Sequence, residues 1–277
     1  MYDDHRVVVM TPAGRQRYLE VLIPQILKLR PLVDEYRLWV NTENVDDIAY
    51  MEKVAEEHKD FIKLDRLTVK YRGNLSVCSF FPKCVDPKTV YVRFDDDVVL
   101  LDSKDAFLEF VKFRINHPEY FIVFGNILNN AILTHIHQDR GTLNTSYGKS
   151  EYKCMCDVGW KSGEFAVSLH KDVLSKPSLE VFRFVEPWVL KDYERVSINC
   201  ISWLGSEFEK FGGVVGIEDE EWLSCVKPKQ LNRPNVIYGG FVVVHFAFYP
   251  QRSVVDKTDL LKKYEEIARK PSTKQLM

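Results

Sequence analysis

The sequence lacks the features that define three specialised classes of protein. Its apolar runs, such as residues 241–244, fall far short of the roughly 20 residues that a membrane-spanning helix needs. Lys and Arg number 38 and Asp and Glu 40, so a net charge of −2 provides no general attraction to nucleic acid. The six cysteines form no dense framework of the kind that stabilises small secreted domains. We therefore expect no membrane span, no nucleic-acid partner and no disulfide scaffold.

The composition is otherwise that of an ordinary globular chain, with 45% hydrophobic and 28% charged residues. Residues 1–5 contain no basic segment followed by an apolar one, so we expect no signal peptide and a cytoplasmic location. No internal repeat and no Pro/Gly/Ser-rich linker divides the chain. We predict one domain over residues 1–270 and a solvated tail over residues 271–277.

The first half of the sequence alternates between β-branched runs and amphipathic helical patterns. We predict strands at residues 6–10, 36–40, 61–67 and 89–94, with helices after the first two. This alternation is typical of an α/β fold with a mostly parallel sheet flanked by helices. The pattern assigns residues 1–102 to a nucleotide-binding half.

Residues 103–258 are less regular and are predicted to bind the second substrate and carry the catalytic groups. The patterns predict a helix at 106–116, strands at 120–126, 165–169 and 239–248, and a helix at 200–211. The polar stretch at 129–163 is predicted to form long loops, and 259–269 a closing helix.

Three consecutive aspartates, Asp95 to Asp97, interrupt an apolar strand. If the strand stays extended, Asp95 and Asp97 project to one side and Asp96 to the other. Ligands of open α/β sheets bind at the carboxyl ends of the strands, and paired carboxylates suit Mg²⁺ or Mn²⁺ bridging to a diphosphate. An acidic strand end that only contacts water fits the triplet equally well.

The run YVRFDDDV at 91–98 resembles the metal-binding DxD motif of GT-A glycosyltransferases. Gly73 and Asn74 resemble the glycine loop of that family, and GIEDE at 216–220 resembles its xED motif. His245 resembles the histidine that completes the metal shell. The resemblance implies a single GT-A domain with a metal held by Asp95, Asp97 and His245.

Each motif also has an ordinary structural explanation. Residues 218–221 could form the acidic first turn of a helix, where carboxylates complement the helix dipole. His245 could be a core histidine bonded to one carbonyl group, and Gly73 could simply make a turn. The order of the four motifs along the chain favours the family.

The resemblance also implies roles for individual residues. Asp219 would be the catalytic base of an inverting transfer, and Glu218 is its rival for that role. Contacts to the nucleotide sugar would come from the end of the first strand, from acidic and glycine-loop residues, and from a basic C-terminal segment. These residues are Thr11, Pro12, Ala13, Gly14, Arg15, Asp65, Gly73, Asn74, Asp95, Asp96, Arg252 and Lys257. For Arg15, Asp65 and Lys257, a solvated surface position is the competing interpretation.

Overall, the chain is similar to the small glycosyltransferases of large algal viruses, the chloroviruses. If a virus encodes the chain, the cytoplasmic location expected above is the cytoplasm of the host cell. The similarity implies a UDP-sugar donor, with UDP-xylose as the leading prediction, and an oligosaccharide or glycoprotein glycan as the acceptor. A sugar-nucleotide nucleotidyltransferase and a non-catalytic carbohydrate-binding protein of the same fold are the alternatives.

Overall fold

One sheet organises the molecule, and this computed structural model describes residues 4–270 of it. The strands are β1 (Arg6–Ala13), β2 (Glu35–Val40), β3 (Ile62–Arg66), β4 (Thr89–Phe94), β5 (Val98–Leu101), β6 (Val123–Leu128), β7 (Trp188–Leu190), β8 (Cys200–Leu204) and β9 (Asn235–His245). The predicted strands of the first half are confirmed, and that at 89–94 has the predicted bounds. The predicted tail at 271–277 lies outside the described residues.

The sheet has the strand order β3-β2-β1-β4-β8-β6-β9-β5, and β7 also pairs with β9. Strands β1 to β4, β6 and β9 run in one direction, while β5, β7 and β8 run in the other. The sheet is therefore mixed and mostly parallel, as predicted. Because β1, β4, β6 and β9 end at the same edge, residues far apart in sequence meet there.

Helices cover both faces of this sheet. They are α1 (Gln16–Lys28), α2 (Val45–Glu57), α3 (Lys104–Asn116), α4 (Ala131–Asp139), α5 (Val158–Lys161), α6 (Gly163–Ser175), α7 (Gly205–Glu209), α8 (Asp219–Glu221), α9 (Lys227–Leu231), α10 (Arg252–Val255) and α11 (Leu260–Arg269). Short 3-10 turns occupy Val77–Lys83 and Leu179–Phe182, and one π turn spans Trp222–Val226. None of the helices within residues 4–270 has the length and apolar content needed to cross a bilayer.

Side-chain caps explain where several of these helices begin. The side chain of Asn44 accepts hydrogen bonds from the amides of Asp46 and Asp47 at the start of α2. Ser103 and Ser162 cap α3 and α6 in the same way. These residues satisfy amides that have no partner within the helix.

Three predictions for the second half are wrong. The segment predicted as a helix at 200–211 is β8 followed by the short α7. All five residues of β8 are buried between β4 and β6, and a short apolar run of this kind has no periodicity that distinguishes strand from helix. The strand predicted at 165–169 lies in α6, whose cap is Ser162 and whose buried positions recur at helical spacing. The loops predicted at 129–163 contain α4 and α5.

Candidate active site

The aspartate triplet lies where β4 ends at the carboxyl edge of the sheet. Asp95 to Asp97 form a tight turn in which the amide of Val98 donates to the Asp95 carbonyl at 3.2 Å. The expectation of an extended strand is therefore wrong at this point. The turn sends Asp95 and Asp97 to different partners, and it brings Asp96 beside Asp97 rather than opposite to it.

Three groups surround the carboxylate of Asp97. Arg15 Nη2 and Arg252 Nη2 lie 2.9 Å and 3.3 Å from Asp97 Oδ2. His245 Nε2 lies 3.5 Å from the other oxygen, Oδ1. Burial alone would raise the pKa of Asp97, but Arg15, His245 and Arg252 outweigh it and hold that pKa well below its ordinary value. The surroundings of Asp97 therefore favour the ionised form of this buried carboxylate.

Asp96 connects the triplet to the end of β1. Its carboxylate accepts from the Gly14 amide at 3.2 Å and from Arg15 Nε at 3.1 Å, and it forms a second contact with the same guanidinium. Burial raises the pKa of Asp96 despite Arg15. A side chain at Gly14 would meet the Asn41 carbonyl at 3.0 Å, so this close approach favours glycine. Asp96 therefore fixes Arg15 in position.

His245 is oriented by the backbone behind it. Its Nδ1 lies 3.0 Å from the carbonyl oxygen of Asn129, so in the neutral ring Nδ1 carries the proton. His245 Nε2 therefore lies on the side of the ring that faces Asp97, and a cation placed between Nε2 and Asp97 Oδ1 could bind both atoms. A carbonyl partner on the second ring nitrogen is typical of histidines that bind metals.

The residues present fit a divalent ion that is shared with a substrate. Within residues 4–270, no three His, Cys, Asp or Glu side chains converge as a complete metal site. Asp97 and His245 could supply two ligands, and Mg²⁺ characteristically binds one or two carboxylates together with substrate phosphates. Asp95 instead pairs with Arg93 and Asn199, so the structure does not bring it together with Asp97 and His245 as the predicted third ligand.

A second cluster lies on the other side of the triplet. Arg93 donates to Asp95 Oδ1 and to Asp219 Oδ2, both at 2.8 Å, and Asn199 donates to Asp95 Oδ2 at 3.0 Å. Burial by itself lowers the pKa of Arg93, but Asp95 and Asp219 raise it above its ordinary value. Burial raises the pKa of Asp95 even though Arg93 opposes the shift. Arg93 therefore links the triplet to the acidic helix α8.

The two candidate bases occupy different positions. Asp219 begins α8, contacts Arg93, and accepts from the Glu220 amide at 3.0 Å. Glu218 is the exposed residue just before the helix. Arg195 holds Glu220 at 2.8 Å and so fixes the same turn from the other side. The acidic helix start anticipated from the sequence is present, and within it Asp219 faces the triplet.

The predicted glycine loop lies beside the ends of β1 and β2. Gly73 has a φ of 63° and its carbonyl accepts from Asn41 Nδ2 at 3.3 Å, while the Asn41 amide donates to Ala13 at 2.8 Å. Asn74 is exposed next to it, and Pro12 is half-buried within β1. This loop therefore borders the same edge of the sheet as the triplet.

The remaining predicted contacts differ in how accessible they are. Thr11 is buried, and its hydroxyl accepts from Tyr36 at 3.0 Å, which gives it a structural role within the sheet. Asp65 pairs with Lys83 at 3.2 Å, and its buried Oδ2 has no hydrogen-bond partner in the part of the chain that the structure describes. Lys257 is exposed after α10. Asp65 thus keeps one acceptor for a ligand.

Sequence reasoning missed four polar residues that build the site, namely Arg93, Asn129, Asn199 and Gln251. Gln251 is buried and joins Asn129 Nδ2 at 3.0 Å to the Phe248 amide at 3.0 Å, which anchors the segment that carries Arg252. Only Arg93 gave a signal, because a charged residue stands inside an otherwise apolar buried strand, two positions before Asp95. The other three lie in irregular segments where no periodicity identifies them.

Comparison with known proteins supports the fold. GalNAc-T7, solved with UDP, GalNAc and Mn²⁺, has a TM-score of 0.51 and 11% sequence identity over 89% of this chain. This chain spans 44% of the length of that protein. The 4-diphosphocytidyl-2C-methyl-D-erythritol synthase of Anaerococcus prevotii is 13% identical, covers 94% of this chain and all of its own, and has a TM-score of 0.49. No protein-family model and no curated protein sequence matches the chain.

The sheet topology and the likeness to GalNAc-T7 agree with the predicted fold class. Six parallel strands with antiparallel insertions, flanked by helices, form a Rossmann-like sheet of the GT-A type. At 11% identity the likeness concerns the fold alone, so the chemistry has to be argued from this chain's own residues.

Proposed function

We propose that this chain is a metal-dependent glycosyltransferase that moves a sugar from a UDP-sugar to a glycan hydroxyl with inversion. The observation that carries the proposal is the environment of Asp97. His245, which the backbone orients, and two arginines converge on this one buried carboxylate. This donor set suits a divalent ion bound together with a diphosphate. It lies at the carboxyl edge of the sheet, where ligands of α/β folds bind.

The donor diphosphate would lie between Arg15 and Arg252, whose guanidinium groups can each bind phosphate oxygens in a bidentate manner. A bound Mn²⁺ or Mg²⁺ would neutralise charge that develops on the departing diphosphate. Asp95, held by Arg93 and Asn199, would accept from a ribose hydroxyl. The free acceptor of Asp65 suits the N–H of a uracil base.

Asp219 would take the proton from the acceptor hydroxyl as that oxygen attacks the anomeric carbon. Its contact with Arg93 keeps the carboxylate oriented towards the triplet, whereas Glu218 is exposed outside this network. General-base assistance of this kind contributes about 10²–10⁴-fold to a rate. The choice of Asp219 over Glu218 is the mechanistic part of the proposal.

The proposed choice of donor sugar, metal and acceptor rests on the resemblance of this chain to known glycosyltransferases. GalNAc-T7, which shares the fold, was solved with UDP, GalNAc and Mn²⁺, which supports a UDP-sugar and a divalent metal for this chain. The similarity to chlorovirus glycosyltransferases favours UDP-xylose as the donor and a glycan as the acceptor. Gly73 and Asn74 would then border the nucleotide, and Lys257 would approach the phosphates from the C-terminal segment.

A thermal-shift panel tests the proposal directly. The protein would be melted with UDP-, GDP- and dTDP-sugars, each with and without Mn²⁺, because a ligand that binds only the native state raises its stability. We expect a UDP-sugar to raise the melting temperature only when Mn²⁺ is present. A protein that responds to no nucleotide sugar under any of these conditions would contradict a transferase function and favour a binding protein.

Product analysis separates the proposed function from nucleotidyl transfer. A glycosyltransferase consumes the nucleotide sugar and releases UDP, whereas a nucleotidyltransferase consumes a triphosphate and releases pyrophosphate. Only Gly14 and Arg15 separate β1 from α1, which leaves no long loop over a triphosphate. We expect UDP release and no pyrophosphate.

A further inference from the structure

The two arginines that pair with Asp97 are more exposed to solvent than Arg93, the other arginine that pairs with an aspartate of the triplet. The side chains of Arg15 and Arg252 are 31% and 32% exposed, whereas that of Arg93 is 6% exposed. Asp97 itself is buried. The carboxylate that would bind a metal is thus already occupied by two cations that have a path to solvent.

This occupancy has a consequence for any ion that approaches alone. A free divalent cation would have to separate Asp97 from two guanidinium groups, and although Arg15 would keep Asp96, Arg252 would lose the carboxylate with which it pairs. A metal that arrives with a diphosphate brings phosphate oxygens to which the same guanidinium groups can turn. The arrangement therefore favours the metal and the diphosphate as a pair.

We propose that Arg15 and Arg252 determine the ligand specificity of this site, by excluding free metal from Asp97 and releasing the carboxylate only to a metal–diphosphate complex. The proposal deepens, and rests on, the glycosyltransferase function proposed above. It names the preferred ligand as a nucleoside diphosphate with its metal, in preference to either component alone or to a nucleoside monophosphate, which offers fewer phosphate oxygens.

The two arginines have different freedom to exchange partners. Arg15 is anchored by Asp96 through Nε at 3.1 Å and lies over the ring of Tyr18 at 4.6 Å, so only its Nη2 contact with Asp97 has to change. Arg252 holds Asp97 through one contact at 3.3 Å. Its Nε is buried and has no hydrogen-bond partner among residues 4–270, so it has a donor left for a phosphate oxygen. Arg252 is therefore the residue that moves.

Arg17 provides a matched control. It is another arginine of the same region, and it lies over the same Tyr18 ring, at 4.4 Å. However, its guanidinium pairs with Asp256 at 3.0 Å rather than with an aspartate of the triplet. Arg17→Gln removes the same charge from the neighbourhood without freeing Asp97.

The experiment measures binding of Mn²⁺ alone, from the electron paramagnetic resonance signal of the free ion, and binding of UDP and UMP with and without Mn²⁺ by calorimetry. For the intact protein we expect weak binding of Mn²⁺ alone and of UDP alone, tight binding of the two together, and weaker binding of UMP. Arg252→Gln should change the two affinities in opposite directions. Mn²⁺ alone should bind about tenfold more tightly, and UDP with Mn²⁺ about tenfold more weakly.

Arg17→Gln should leave both affinities unchanged, and Arg252→Lys, which keeps the charge without the planar fork, should fall between the intact protein and Arg252→Gln. The Mn²⁺-only measurement tests the inference without any nucleotide. If Arg252→Gln leaves binding of Mn²⁺ alone unchanged or weakens it, the inference is overturned, even if UDP with Mn²⁺ still binds. If the intact protein binds no nucleotide, the proposed function fails separately.

Discussion

The two sides of the aspartate triplet are built from the same chemistry but differ in exposure. On one side, Asp97 is held by arginines that are about a third exposed. On the other side, Asp95 and Asp219 share Arg93, which is almost completely buried. The pairs that Arg15 and Arg252 make with Asp97 can open when a ligand offers these two side chains new acceptors, whereas separation of the buried Arg93 pairs leaves a charge without compensation. The Asp97 side therefore suits a ligand that binds and dissociates, and we call it the exchanging side. The Asp95 side suits groups that stay in place, and we call it the fixed side.

The largest expected effect concerns the base on the fixed side. Asp219→Asn should lower kcat by about 10²–10⁴-fold, because an amide cannot accept the proton, while UDP with Mn²⁺ still binds. Release of UDP in the presence of acceptor measures the rate, and the thermal shift measures binding. Glu218→Gln is the matched control and should stay within about twofold of the intact protein. If the Glu218 variant is the inactive one, the assignment of the base is reversed.

The next effect concerns the exchanging side. Asp97→Asn should abolish the Mn²⁺-dependent thermal shift with a UDP-sugar and lower kcat/KM by about 10²–10³-fold, because the ionised ligand is lost. Asp102→Asn is the control, since Asp102 is another buried carboxylate, held by Arg183 at 2.7 Å but outside the triplet. The control should lose stability and keep the metal-dependent shift. Retention of the shift by the Asp97 variant would remove the basis of the proposed metal site.

Stability should distinguish the two sides most directly. Arg93→Gln should lower the free energy of unfolding by about 3–5 kcal/mol, because a buried guanidinium is lost and two partly buried carboxylates lose their counter-charge. Arg252→Gln should lower it by about 1 kcal/mol or less, because that side chain is partly exposed and Asp97 keeps Arg15. Urea unfolding with matched slopes measures both values. Equal losses for the two variants would contradict the division into a fixed and an exchanging side.

The smallest expected effect is on the pH dependence of stability, and it concerns two buried histidines that have no carboxylate partner. Burial lowers the pKa of His137 to about 3 and that of His170 to about 4. Their neutral partners include Asn126 and Tyr264. Because the unfolded chain binds protons first, the stability from these neutral rings is complete above about pH 6.5 and is lost as pH falls towards 4.

The measurable quantity is the slope of stability against pH. Each of these two histidines should contribute about 1.4 kcal/mol per pH unit between about pH 6 and 4.5. His170→Gln should therefore reduce the slope by about that amount in urea unfolding at several pH values. An unchanged slope for the His170 variant would show that this ring is not buried in its neutral form.

The regular first half could be predicted from the sequence because its signals are local. The runs that became β1 and β4 are mostly apolar, those of β2 and β3 mix apolar with charged residues, and helical patterns with clear periodicity separate β1, β2 and β3. Termination of β4 at three aspartates located the candidate site at the edge of the sheet. The order of motifs along the chain singled out His245, and Arg252 was chosen as a basic residue after the same strand; the structure brings both beside Asp97.

The second half could not be predicted in the same way because its structure depends on distant partners. The run that forms β8 is a strand because it is enclosed by β4 and β6, and its residues alone do not distinguish a strand from a helix. Asn129, Asn199 and Gln251 became part of the site only because the sheet brings separate loops to one edge. Such residues carry no periodic signal in their own segments.

The sequence by itself determined the α/β alternation, the strand that ends in the triplet, and the residue types available for metal and phosphate binding, because these depend on local periodicity and side-chain chemistry. The tertiary structure alone decided that Asp95 and Asp97 have different partners, and that Arg93 joins Asp219 from 126 positions away. It also decided which arginines are buried and which reach solvent. Turn geometry and burial depend on the packing of the whole sheet, and they divide one acidic triplet into a fixed side and an exchanging side.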